Sequence, residues 1–221
     1  MGELLQIVTA LHQQTPRDYL RRMQDEKVFC MQKAKEYAQD YWDGDRRFGY
    51  GGYKYMPGRW RPVAEALIEK YKLKSGSRLL DVGCGKSYLL YEIQLINPEI
   101  ELIGIDISSY ALKHQHPEFT GQTFIHDAKK KLPFEDKEFD LVISMGTLHN
   151  LKLPDLHQAL KEIGRVGCSQ YVMVESYRNE LELFNLECWA LTAESLLEPD
   201  EWDWVFNNAG FKGDFEFIYF E

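Results

Sequence analysis

Apolar residues recur along this chain in two spacings that alternate. Short unbroken runs stand at residues 79–82, 101–106, 123–125, 139–145 and 170–175. Runs of this length, rich in Val and Ile and bounded by Gly, Pro, Asp or Ser, predict buried strands. Between them apolar positions recur every three to four residues, which predicts helices. These run from Pro62 to about Tyr71, from Ser87 to just before Pro98, from Pro154 to about Val166, and from Pro199 to Gly210, with a short one capped by Ser108. Strands that alternate with helices and are apolar along their length predict an α/β fold: a mostly parallel sheet with helices on both faces. Residues 214–220 alternate and predict a terminal strand. Residues 178–197 fit a helix followed by a strand, or a helix throughout.

The first 61 residues differ. Leu4, Leu5, Val8 and Leu11 share one helical face. Thr15 and Pro16 then form a helix-start signature, and a stripe of Leu20, Met23, Lys27, Met31, Ala34, Ala38 and Tyr41 predicts one long helix to about Tyr41. Its charged residues fall mostly off that stripe, as on a solvated face. Residues 43–61 follow neither period. Their glycines exclude a long helix, while their tyrosines and cations exceed a plain linker's needs. This mixture suits a loop that closes over a ligand. The division is therefore a helical segment with a lid loop at 1–61 and an α/β domain at 62–221.

The first run is the most informative. Residues 79–87 read Leu-Leu-Asp-Val-Gly-Cys-Gly-Lys-Ser. This is a strand ending in a carboxylate, then two glycines one residue apart, then a helix start. Such a turn places backbone N–H groups and a helix N-terminus at one open mouth. A dinucleotide fingerprint needs a small residue where Tyr88 stands. The stretch instead resembles motif I of class I S-adenosylmethionine-dependent methyltransferases, with Ser87, a small residue and a good N-cap, in place of the last glycine. Asp106 ends the second strand about 25 residues after Asp81, His126-Asp127-Ala128 follows the third, and Phe139-Asp140-Leu141-Val142-Ile143-Ser144 is close to that family's motif IV.

The resemblance implies a Rossmann-like methyltransferase fold with an antiparallel terminal strand, and S-adenosylmethionine as cofactor. Asp81 would orient the methionine part, and the Gly83-Cys84-Gly85 backbone would approach it closely. Asp106 would take the ribose hydroxyls and Ile107 would pack beside the adenine. Asp127 and Ala128 would hold the adenine edge, with Ser144 and Met145 near the amine and sulfonium. The chain is also similar to methyltransferases found with surface-polysaccharide pathways.

Composition narrows the partners. A net charge of −9 argues against general nucleic-acid binding but allows a local basic pocket for a small anion. The four cysteines, with no C-x-x-C spacing, read as reduced thiols of a cytosolic protein. Glu3 and the lack of a basic start predict no secretory leader, and no apolar run suggests a membrane span. Oligomeric state is not legible.

Methyl transfer from a sulfonium needs alignment above all, and a base only if the acceptor loses a proton. No metal-ligand spacing occurs. The candidate bases are His149, past the fourth strand, and Glu175, ending the fifth. The place of the tetrapeptide expected of adenine or amide N-methylation holds Ser144-Met145-Gly146-Thr147 instead. Arg46, Arg47, Lys54, Arg59 and Arg61 concentrate positive charge in the loop. With Tyr50 and Tyr53, Arg47, Lys54 and Arg59 are candidate contacts to a small anionic acceptor, phosphorylated, nucleotide-linked or sugar-type. The expected activity is O-methylation. The competing reading is a cofactor-binding regulatory subunit.

Overall fold

The structure, a computed structural model, describes residues 2–221. Six strands form one sheet: β1 (Arg78–Val82), β2 (Glu101–Asp106), β3 (Gln122–Ile125), β4 (Phe139–Met145), β5 (Gly167–Glu175) and β6 (Asp214–Ile218). Their order is β3-β2-β1-β4-β5-β6 and every pair is parallel. The chain's helices are α1 (Thr9–Gln13), α2 (Tyr19–Gln24), α3 (Lys27–Ala34), α4 (Gln39–Asp43), α5 (Arg61–Tyr71), α6 (Tyr88–Ile96), α7 (Ser109–Lys113), α8 (Leu153–Val166), α9 (Glu180–Trp189) and α10 (Pro199–Ala209). No helix among the described residues is long and apolar enough to cross a membrane.

Strand side chains alternate between two cores. Leu80, Val82, Ile103, Val142 and Val172 pack with Leu156, Leu160, Trp202 and Phe206 of α8 and α10. Leu79, Leu102, Leu141, Ile143 and Tyr171 pack with Val63, Leu67, Leu90 and Ile93 of α5 and α6. Both faces are covered, so the strands are apolar along their length.

Three expectations are corrected. The terminal strand is not antiparallel: β6 runs parallel to β5, from Asp214 beside Tyr171 to Ile218 beside Glu175. The chain leaves the far end of β5 and returns through α9 and α10 to its near end, and such a crossover delivers a parallel strand. The single long N-terminal helix is instead α2, α3 and α4. Glu26 (φ 43°) and Tyr37 (φ 49°) adopt left-handed conformations that interrupt it. Its first cap is Asp18, which accepts the Arg21 N–H at 3.1 Å, and not Thr15. Lastly, Ser87 stands at the N-cap of α6 but makes no capping bond. Its φ of 59° is the conformation that glycine adopts most easily, which explains why the resembling motif has glycine there. The open question at 178–197 resolves as α9, capped by the Asn179 side chain on Leu181 N (3.1 Å) and Glu182 N (3.0 Å), followed by irregular chain.

A buried carboxylate fixes the N-terminal segment. Glu216 of β6 accepts the backbone N–H groups of Ile7 (2.7 Å), Val8 (2.9 Å) and Thr9 (2.6 Å) and the Tyr171 hydroxyl (2.5 Å). The three N–H groups lie at and just before the start of α1, where no helix carbonyl can accept them. Lys27, read as part of the apolar stripe, instead donates to the carbonyls of Cys188 (2.8 Å) and Ala190 (2.5 Å) at the end of α9. These two ties dock residues 7–27 against β6 and the end of α9.

Candidate active site

The strands open onto two adjoining cavities, of about 150 and 610 Å³. Trp42, Tyr50, Gly83, Met145 and Gly146 line both. In the smaller cavity lie Asp106, Ile107, Asp127 and Ala128. Asp106 accepts the N–H groups of Gly85 (2.8 Å) and Ser108 (2.7 Å), which ties the glycine turn to the end of β2. Burial raises the Asp106 carboxyl above its usual range, against these backbone bonds.

Asp81 contrasts with Asp106. It is 4% exposed, lines the larger cavity, and its carboxylate makes no hydrogen bond among the described residues. Burial, and secondarily Asp106, push its carboxyl up to about 8. Gly83 (φ 92°) and Gly85 (φ 53°) are both left-handed. A Cβ on Gly83 would stand 2.0 Å from Thr147 Oγ1, and one on Gly85 2.8 Å from the Trp42 ring. The chain itself thus crowds the two glycines. Cys84 lines the larger cavity, and a Cβ at Gly104 would stand 2.6 Å from its sulfur. Ser144 is corrected: it is fully buried, lines neither cavity, and donates to the Val82 carbonyl at 2.8 Å. It locks β4 to the end of β1.

An aromatic roof covers the site. Trp42 donates to Ser108 Oγ at 2.9 Å and stacks on Tyr50, with ring centroids 5.3 Å apart. Tyr53 stacks on Tyr88 at 5.1 Å, so Tyr88 serves as a platform for the loop. Buried Lys86 ties this roof down through Asp43 (2.7 Å) and the Tyr53 carbonyl (2.8 Å).

The cations divide. Arg47 pairs with Asp25 (2.8 Å) and Glu26 (2.6 Å) and lines neither cavity, which corrects its assignment to the acceptor. Arg61 pairs with Glu65. Arg46, Lys54 and Arg59 line the larger cavity, as do Tyr50 and Tyr53. Arg17 and Arg22 join them there, and sequence reasoning missed both by placing them on a solvated face. None of these five cations has a carboxylate partner among the described residues, and the cavity's only acids are Asp81 and Glu175.

His149 and Glu175 meet at this cavity. The Glu175 backbone N–H donates to His149 Nδ1 at 3.3 Å, while His149 Nε2 lies 3.4 Å from Glu175 Oε2. A backbone N–H is an obligate donor, so Nδ1 carries no proton and Nε2 does. Burial lowers the imidazole's pKa, partly offset by the Glu175 carboxylate. The neutral ring therefore has no free lone pair, and Glu175 keeps an accessible carboxylate.

The methyltransferase-domain family matches residues 73–210, more than half of the chain. The chain belongs to this methyltransferase family. Among its relatives is a demethylmenaquinone methyltransferase of Staphylococcus saprophyticus, 27% identical over 69% of this chain and 76% of that protein. A malonyl-[acyl-carrier protein] O-methyltransferase of Legionella pneumophila is 28% identical over 50% of this chain and 42% of its own length. In fold, the methyltransferase is similar to a Haloferax volcanii protein solved in complex with the Trm112 methyltransferase activator. That likeness has a TM-score of 0.55 at 21% identity and covers 66% of each chain.

S-adenosylmethionine is the cofactor of this methyltransferase. The residues present fit it: a partnerless buried carboxylate at Asp81 suits an ammonium, and a second acid at Asp106 borders a cavity beside Ile107 and Ala128.

Proposed function

We propose that this methyltransferase methylates an oxygen of a small anionic acceptor, with Glu175 as the base and His149 as the group that positions it. The observation that carries this reading is the larger cavity, lined by five cations without a carboxylate partner among the described residues and by the Glu175 carboxylate. S-adenosylmethionine supplies a methyl group already activated by its sulfonium. Asp81 holds its amine, the Gly83-Cys84-Gly85 backbone lies beside its methionine part, Asp106 takes its ribose hydroxyls, and Asp127 and Ala128 border its adenine, with Ile107 packed alongside. Met145, which lines both cavities, stands between the cofactor and acceptor sides.

Lys54 and Arg59 draw the acceptor's negative group, and Tyr50 and Tyr53 close over its body. Glu175 then receives the proton of the acceptor hydroxyl. The His149 Nε2–H points at the same carboxylate and fixes its rotamer. Aligning acceptor and methyl group supplies the rest of the rate. A phosphorylated or nucleotide-linked sugar, of the kind used in surface-polysaccharide pathways, has the charge and the hydroxyls that this cavity would recognise.

The test is transfer of labelled methyl from S-adenosylmethionine to a panel of sugar phosphates, sugar acids and their neutral parents. Label in the anionic members alone supports the reading. Equal labelling of the neutral parents contradicts it. Tight binding of the cofactor product with no transfer to any member would favour a regulatory subunit.

A further inference from the structure

Three arginines from two separate pieces of chain converge on one indole ring. Arg17 precedes α2, Arg22 lies within it, and Arg46 opens the single turn at Arg46–Phe48. Their guanidinium carbons stand 5.4, 4.4 and 4.9 Å from the centroid of Trp189, the last residue of α9. The ring face favours cations but neutralises none of them.

Their N–H groups meet no carboxylate among the described residues. Arg17 donates to the carbonyls of Thr15 (3.0 Å) and His12 (3.3 Å) and lies 3.0 Å from His12 Nδ1, Arg22 donates to the carbonyls of Arg46 (3.2 Å) and Gly49 (3.3 Å), and Arg46 to that of Gly49. The Nε atoms of Arg17 and Arg22 are buried with no partner. Burial lowers the pKa of Arg22 to about 10, with Arg46 the next cause, so the charges oppose one another. Shortage of acids is not the reason. The chain has 35 Asp and Glu against 26 Lys and Arg, and Arg47, Arg165 and Arg178 all hold carboxylates. Glu175, whose charge acts on Arg17, lines the same cavity.

We infer that Arg17, Arg22 and Arg46, gathered round Trp189, bind a phosphoryl group of the acceptor. This rests on the anionic-acceptor reading and goes further, by naming the group and its seat. Three guanidinium forks exceed what a single carboxylate offsets and match a dianion with three terminal oxygens.

The probe is inorganic phosphate, titrated by calorimetry into the full chain saturated with cofactor product, with acetate at equal ionic strength as comparison. Phosphate should bind at least tenfold more tightly than acetate. Arg22→Gln and Arg46→Gln should each weaken phosphate by tenfold or more and leave cofactor-product affinity within twofold. On the wild-type chain, phosphate should also protect Arg17, Arg22 and Arg46, but not Arg61, from an arginine-selective dicarbonyl reagent read by mass spectrometry. That second measurement needs no variant to fold. Phosphate binding no better than acetate, unchanged phosphate binding in both variants, or equal protection of Arg61 would overturn the inference. Phosphate binding as described, without methyl transfer to any phosphorylated acceptor, would uphold this site and sink the proposed reaction.

Discussion

The two halves of the site are built in opposite ways. The smaller cavity is made mainly from the ends of neighbouring strands and the loops after them, with Tyr37, Tyr41, Trp42 and Tyr50 set against them. Its acid Asp106 is held by backbone N–H groups from the glycine turn and from its own loop. The larger cavity shares the glycine turn and the end of β4 with the smaller one, and adds pieces remote in sequence: α1 and α2, the 43–61 loop, the end of α9, and Glu175. Its arginines donate mainly to backbone carbonyls, and its roof rests on stacked rings and on the Lys86–Asp43 ion pair. The first half is fixed by the sheet. The second depends on the N-terminal segment staying docked. A fold shared across a family can thus keep one cofactor while its added segments change the acceptor.

The largest effect that sharpens this contrast is on chemistry. Glu175→Gln should lower turnover by about 100-fold or more while leaving cofactor affinity unchanged. His149→Ala should lose less, on the order of tenfold, because the imidazole acts through the carboxylate. Steady-state kinetics on both variants decides the roles. A His149→Ala loss as large as that of Glu175→Gln would make the histidine the base.

The next effect belongs to the cofactor half. Asp106→Ala should weaken cofactor-product binding by about 2–3 kcal/mol, read by calorimetry, with acceptor contacts intact. Wild-type affinity would remove the ribose role.

A smaller effect concerns pH. The Asp81 carboxyl titrates near 3.8 when unfolded and at about 8 when folded. Its protonated form therefore favours folding: that stability is complete below pH 4 and is lost as the pH rises through 8. Asp81→Asn stays neutral throughout. Without cofactor it should match the wild type in acid and exceed it at pH 9, while binding cofactor product more weakly. Parallel stability curves from denaturant titrations across this range would contradict the burial of an unpaired carboxylate.

This contrast also explains what was legible. Asp81, Gly83, Gly85 and Asp106 are readable because a strand end, a tight turn and a helix start are local events. Met145 follows from its place at the end of β4, yet Ser144 beside it points the other way, as adjacent strand residues must. Arg17 and Arg22 were not readable. Their approach to Trp189 depends on the breaks at Glu26 and Tyr37 and on how Glu216 seats α1, and none of these has a periodic signature. Arg47 was misplaced for the same reason, since its partners Asp25 and Glu26 come near only because the chain bends there. The antiparallel last strand came from the resemblance alone; the length of chain through α9 and α10 favours the parallel return observed.

The most direct test of the account is whether the two halves answer separately. Lys54→Gln combined with Arg59→Gln removes two unpaired cavity charges, and Arg47→Gln, whose partners are Asp25 and Glu26, is the control. With labelled S-adenosylmethionine and an anionic acceptor, the double variant should raise the acceptor KM by about tenfold and leave the cofactor KM within about twofold. Arg47→Gln should move neither. A cofactor KM that rises in step with the acceptor's would place these cations on the cofactor and contradict the division of the site.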